Sequence, residues 1–407
     1  AARTARTRSP AIPLSSKRQA AADSVRRRNR SMPTPPVNTR AFIAVLAVIT
    51  ALGPLSMQII LPVLPVMQVA FEVPAATVQY VLSLALFTIA FSTLVYGPAS
   101  DRYGRRPVLV IGLVIFVIGS AFAAHAPTIE IVILGRIVQA VGGAAGMVLS
   151  RAIIRDLYDR ETAARLMAYM ITALVVAPMN APLIGGLLNE AFDWRAIFIF
   201  AGIIGALVLA FALPRVPETL PPGADVQTLR GMFGGFLILL RVPAFLGYAG
   251  QVGFGMGMFM AFLGAAPFVM ANVLERPPTE FGLFFVLISA GFMMGTFLTG
   301  KFGERVGLDR MMRIGSALAV VFGAVMLGFV LAGIWSPWTI FLPGAAMAMA
   351  NGLAMPNLGD IAYQSIAGAV ATAHCDAGVA PTLKHFPNQG STVEDPHRSV
   401  SVSVGGA

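Results

Sequence analysis

Apolar residues fill this chain in ten long blocks separated by short polar breaks. The blocks run from about residue 41 to 67, 77–99, 107–125, 128–150, 163–188, 195–213, 243–271, 280–300, 311–333 and 337–358. A helix needs roughly 20 apolar residues to cross about 30 Å of hydrocarbon. Only helices and closed barrels satisfy their backbone in lipid, and runs this long exceed a tilted barrel strand, so each block is expected to be a helix. The breaks alternate in charge. Arg102, Arg105 and Arg106 sit in "DRYGRR", and Arg151, Arg155, Arg160 and Arg165 follow span four. Arg215, Arg230 and Arg241 lie between spans six and seven, and Lys301, Arg305, Arg310 and Arg313 between eight and nine. The intervening breaks "FEVPAA", "AHAPTIE", "NEAFDW" and "GIWSPW" carry no Lys or Arg; Arg276, beside Glu275, departs from the pattern. Excess Lys and Arg mark cytoplasmic loops, so the N-terminus and the ends of the even-numbered spans are expected in the cytoplasm.

Composition agrees with a membrane protein. The 407 residues are 57% hydrophobic and 12% charged, with mean hydropathy +0.77, against about a quarter charged in soluble domains. The net charge of +10 is local: residues 1–40 hold ten Lys/Arg and one acid, Asp23. Such a run can serve as a nucleic-acid arm; ahead of a first span it reads better as a solvated cytoplasmic tail, with no nucleic-acid partner. Position 1 is not Met, and Met32 precedes "PTPPVNTR", an ordinary lead-in to a helix, so residues 1–31 read as upstream sequence. The first apolar run is too long for a signal h-region and lacks a small-residue exit. One cysteine, Cys375, excludes an internal disulfide and a Cys-based zinc site, and neither metal nor cofactor is expected.

Between spans six and seven lies the longest cytoplasmic connection, "PRVPETLPPGADVQ" followed by the amphipathic "TLRGMFGGFLILLR". It divides the chain into a basic N-terminus (1–40), a six-helix half (41–213), a linker (214–242), a second half of four helices (243–372) and a polar tail (373–407). Transporters built of two repeats show weak internal symmetry. Here "YGPASDRYGRRPVLV" after span two returns after span eight as "GKFGERVGLDR", with a glycine, an acid–arginine pair (Glu304, Arg305) and Gly307.

The order of Gly97, Asp101, Arg102, Gly104, Arg105, Arg106 and the following proline resembles the cytoplasmic loop signature of the major facilitator superfamily. In span four, Arg136 and Gln139 stand within "GRIVQAVGGAAGMVLSRAIIRD", where an ionisable group should face a cavity or a partner. The stretch resembles the superfamily's fourth-helix motif, whose arginine is linked to proton movement. Span five contains "VVAPMNAPLIGGLL", with Pro178, Pro182, Gly185 and Gly186, and is similar to the motif of drug–proton antiporters. "WRAIF" (194–198), "MPNLGDIAYQSIAG" (355–368) and "AAPFVM…TEFGLFF" resemble the Bcr/CflA drug-resistance subfamily. The likeness covers about residues 36–372. It implies an all-helical polytopic membrane protein with ten of the usual twelve spans, in a bacterial inner membrane. It further implies a monomer that exports drug-like molecules against protons by rocking its halves about a central cavity. Asp101 and Arg105 would latch the cytoplasmic side, and Arg136 would respond to protonation. A transporter of another small solute, or an inactive truncated transporter, stays open.

The first span departs from the subfamily: where an acid usually stands, "QIILPVLP" has Gln58. No Asp or Glu falls near the middle of any span, which leaves Glu130, Asp360 and Arg136 as candidates for proton coupling. Gln58, Gln139, Asn180, Gln251 and Asn351 are polar groups within spans and are candidates to face a cavity. Phe259, Phe262, Phe268, Met256, Met258 and Met260 are candidates to line its C-terminal wall. Methionine-rich walls repack around varied ligands.

After Ala373 the chain changes character. "TLKHFPNQGSTVEDPHRS" resembles the signature of beta-N-acetylhexosaminidases of glycoside hydrolase family 3. The resemblance gives Lys384 and His385 as sugar contacts and Asp395 and His397 as an acid/base dyad. Asn388, Gln389, Ser391 and Pro396 depart from it. A retaining glycosidase needs a second carboxylate about 5 Å away, and a barrel loop alone cannot hold that geometry. The tail is therefore expected to be inactive, the result of a join near Ala373, or else unrelated sequence that mimics the motif.

Overall fold

The computed structural model describes residues 39–220 and 243–354. Residues 1–38, most of the linker, Asp360, the 355–368 stretch and the whole glycosidase-like tail lie outside the described residues.

Each of the ten apolar blocks is a helix: α1 Thr39–Ile59, α2 Ala75–Tyr103, α3 Arg105–Ala124, α4 Ile129–Leu157, α5 Arg160–Ala191, α6 Ala196–Ala212, α7 Pro243–Asn272, α8 Pro278–Val306, α9 Leu308–Leu331 and α10 Pro337–Ala354. Eight are long and apolar enough to cross a membrane; α6 has 17 residues, and α10 ends at the edge of the described residues. The first block is interrupted. Pro62 and Pro65 open a 3-10 turn (Leu61–Val63) and a short helix (Leu64–Ala70), because proline lacks the N–H that would continue α1. Irregular backbone at membrane depth must be buried in protein, and Ile60, Leu61, Val63 and Leu64 are each 0% exposed.

The junction between α2 and α3 is one residue, Gly104, at φ +99°; that between α8 and α9 is one residue, Gly307, at φ +87°. Both need the backbone freedom of glycine. Gly97, Asp101, Arg102 and Gly104 match Gly300, Glu304, Arg305 and Gly307 at constant spacing, so the sequence repeat is also a structural one.

Within the first half, α3 lies along α4, α2 and α1 pack on α4, and α5 and α6 pack on α1 and α3. Small residues allow the close approach. A Cβ on Gly135 would come within 2.6 Å of the Ala123 amide nitrogen, and one on Gly142 would overlap the Phe116 backbone. In the second half α8 and α9 both pack on α10. The halves meet mainly through α5 against α8, with the Leu61–Ala70 segment and the start of α2 against α7.

A candidate transport site between the halves

The contacts between halves cluster at the end away from the arginine-rich junctions, here the bare end. Gln79 Nε2 donates to the Gly264 carbonyl (2.7 Å), Thr279 N donates to Glu190 Oε1 (3.2 Å), and Asn272 Nδ2 donates to Gln68 Oε1 (3.3 Å). Gly186 lies so close to the first turn of α8 that a Cβ would stand 2.7 Å from Thr279 Cα. Gly185 faces the other way, against the Ile59 carbonyl at the end of α1. One apolar cluster, including Leu61, Leu64, Met270, Phe281, Phe285 and Phe341, spans both halves there. A second cluster, from Phe42 to Val216, belongs to the first half alone and lies toward the basic end.

Between these regions, at mid-height, is a cavity of about 530 Å³. The first half contributes Met57, Gln58, Leu86, Met147, Pro178 and Met179 among others, and the second half contributes residues of α7, α8, α9 and α10. Of the sequence candidates, Gln58, Gln251 and Asn351 line it, as do Met256, Met258, Phe259 and Met260. Gln251 bonds the Ser316 hydroxyl. Gln58 Oε1 and Asn351 Nδ2 are buried without a hydrogen-bond partner. Two candidates lie elsewhere. Gln139 is fully buried between α3 and α4, where it donates to Ser120 Oγ at 2.7 Å and accepts from Arg136. Asn180 is exposed and bonds the Val176 carbonyl one turn back in its own helix. Phe262 and Phe268 pack into the core instead of the cavity wall. Pro182 is buried on α5 beyond the cavity.

Arg136 is 1% exposed and stands behind the cavity wall. Its guanidinium donates to the Ser56 carbonyl (3.1 Å), to Gln139 Oε1 and to Met57 Sδ (3.2 Å), and Nε has no partner. None of the ion pairs among the described residues includes it. A buried charge without a counter-ion is costly. Three acceptors reduce that cost, and two of them belong to the turn of α1 that carries Gln58. Glu130, by contrast, is exposed in the first turn of α4, at the bare end.

At the basic end the loop residues assemble around Arg105, which is 7% exposed. Its Nη1 pairs with Asp101 Oδ1 at 2.6 Å and donates to Ser100 Oγ, while Nε pairs with Asp156 Oδ2 at 3.0 Å. Thr219 Oγ1 also donates to Asp156. The free amides at the start of α3 are met from a distance: Glu218, past the end of α6, accepts from the backbone N–H of Arg105 (2.9 Å) and of Arg106 (3.2 Å). Arg106 in turn donates to the Leu213 carbonyl. Arg102 is exposed over the Tyr103 ring, and a Cβ on Gly97 would meet nothing within 4 Å. Asp156, Glu218 and Thr219 were not legible as members of this network. The one signal was the presence of acids among the basic residues of two connections, three in 151–165 and two in 214–242. Asp101, Arg105 and Asp156 belong to the first half and Glu218 and Thr219 to the start of the linker, so among the described residues the network ties α2, α3, α4 and the segment after α6 together without joining the halves.

The comparisons with known proteins agree with this architecture. Residues 46–380 match the model of the family described as Major Facilitator Superfamily. The chain is 30% identical over 349 residues to a chloramphenicol resistance protein of Pseudomonas aeruginosa, covering 83% of this chain and 81% of that one. It is 29% identical over 318 residues to a bicyclomycin resistance protein homolog of Haemophilus influenzae, covering 78% and 77%. Among solved structures, a bacterial homolog of the human lysosomal transporter Spinster, inward-facing and unoccupied, superposes with a TM-score of 0.63 at 17% identity, over 81% of this chain and 78% of that one. That likeness shows the fold. With helices, repeat and cavity in place, the chain belongs to the major facilitator superfamily: it is a multi-pass transporter of the bacterial inner membrane type and not an enzyme.

Proposed function

We propose that this protein exports small amphiphilic, drug-like compounds by alternating access, in exchange for protons. The observation that carries the reading is the apolar cavity at mid-height between two halves that touch at one end. The alternation of Arg and Lys along the chain puts the basic end in the cytoplasm, so this state is open inward. Compound enters from the cytoplasm or inner leaflet and is held against methionine and phenylalanine side chains. The bare-end contacts then part while the basic ends close. The names of the relatives, which concern drug resistance, support efflux as the direction.

For coupling we place Arg136 at the centre. It grips Ser56 and Met57, next to the cavity-lining Gln58, so a ligand that presses on α1 and a change in the guanidinium's surroundings act on one turn of helix. Glu130 at the surface and Asp360, outside the described residues, remain candidates for the proton itself. We also read the chain as a monomer. Inverted membrane vesicles energised to an acidic lumen should accumulate an amphiphilic dye and release it when a protonophore is added. Accumulation that ignores the protonophore would remove proton coupling, and no accumulation of any amphiphile in a broad panel would remove efflux.

A further inference from the structure

The cavity wall has a property that general drug efflux does not imply. Among the described residues lining it there is no Asp, Glu, Lys, Arg or His. Its polar groups are Gln58 on the first half and Gln251, Ser289, Ser316 and Asn351 on the second. Gln251 and Ser316 hold each other. Gln58 and Asn351 are different: in each, the amide end turned into the wall meets no partner. A side-chain amide is a carbonyl acceptor at one end and an NH2 donor at the other. Where the wall binds neither end, the wall does not fix the amide's orientation, and a half-turn exchanges the end shown to the cavity. Buried polar groups without partners are rare in folded proteins and call for an explanation; here the wall leaves either end of each amide free to be the one that faces a ligand.

We propose that Gln58 and Asn351 are a pair of adaptable hydrogen-bonding readers, one on each half, and that the site selects uncharged amphiphiles bearing amide, hydroxyl or carbonyl groups. A cation entering this cavity gives up part of its hydration and meets no carboxylate among the described residues in return. The faces of Phe259, Phe285 and Phe292 offer cation–π attraction, but an uncharged ligand of the same shape uses those faces without the desolvation cost. Because the readers sit on opposite halves, one ligand bonded to both joins the halves across the cavity. This rests on the cavity being the transport site.

The test uses two isosteric probes: a biaryl amide carrying a tert-butyl group, and its analogue in which trimethylammonium replaces tert-butyl. Equilibrium binding to the full chain in nanodiscs should favour the uncharged probe by about tenfold or more. The double variant Gln58→Ala/Asn351→Ala should weaken the uncharged probe by about tenfold and leave thermal stability near the parent value. Gln58→Asp should improve binding of the cationic probe while the uncharged one gains nothing. Equal binding of both probes to the parent chain overturns the proposal, as does a double variant that binds the uncharged probe as well as the parent does. Because binding is read apart from transport, the two readings fail separately. An uncharged probe that binds selectively but is not moved by energised vesicles counts against efflux and leaves this selectivity standing. Both probes moved equally well leaves efflux standing and overturns the selectivity.

Discussion

Arg105 shows how much one side chain can organise. It is almost fully buried, yet it holds Asp101, Asp156 and Ser100 with two of its nitrogens. Arg105→Ala leaves two carboxylates facing each other without their cation. Breaking a buried pair from one side costs about 3 kcal/mol, so the purified protein should melt at a lower temperature and show faster proteolysis at the basic end. Arg105→Lys should recover only part of the loss, since an ammonium cannot reproduce the planar fork. Gly104 gives a sharper case. At φ +99° an added Cβ is strained whatever its surroundings, and it would stand 2.6 Å from Glu218 Oε2. Gly104→Ala should therefore cost about 1–3 kcal/mol and push Glu218 off the start of α3. Hydrogen exchange of the Arg105 and Arg106 amides reports that release directly. An Ala variant with unchanged exchange at both amides would separate Gly104 from the cap. The glycine was legible in the sequence because its spacing repeats after span eight. Glu218 was not: it reaches Arg105 across more than a hundred residues, and a carboxylate that caps a remote helix leaves no local pattern.

The helices themselves were readable because lipid imposes a length and a polarity on each. What hydropathy marks, however, is the part in contact with hydrocarbon. α4 runs on to Leu157 and α8 to Val306, past apolar blocks that end near 150 and 300. Their last turns are polar and stay helical, since the backbone continues until a residue such as Gly307 stops it. The prolines of the first block were visible, but their outcome, a buried 3-10 turn at the seam of the halves, depends on Phe281 and Met270 arriving from the other half. Polar residues within spans were the least predictable. Gln58 and Gln139 look alike in sequence, and only helix rotation decides that one lines the cavity while the other bonds Ser120 behind it. Close packing at this scale is testable on α3 and α4. Gly142→Leu places a side chain where the Phe116 backbone stands, and the helices must separate. A cost of about 3 kcal/mol or more follows from overpacking, seen as loss of folded protein in detergent, whereas Gly97→Ala, with open space around its Cβ, should be near neutral for stability.

That contrast between glycines carries over to the whole molecule. At the bare end Gly186 and Gly282 are in use: each touches the backbone of the opposite half. At the basic end Gly97 and Gly300, equivalent positions in the two halves, meet nothing among the described residues. The alternating access proposed above needs close approach at each end in turn, and we propose that the glycines idle here serve the state in which the basic end closes. Gly97→Leu should leave the present state intact and block conversion. A cross-link provides the reference. In a background with Cys375→Ser, cysteines at Gln68 and Asn272, whose side chains are hydrogen-bonded across the halves, should be bridged by a short bis-thiol reagent. Bridging pins the bare end, so transport should stop, and a reagent with a cleavable spacer should restore it on reduction. The Gly97→Leu chain should cross-link as efficiently as the parent while transporting poorly, because it rests in the same state but cannot leave it. Full transport with the bridge in place would mean that the halves do not part at the bare end. Reduced cross-linking in Gly97→Leu would mean that the added side chain disturbs the present state, and the idle glycine would then have a structural role here and not in the opposite state.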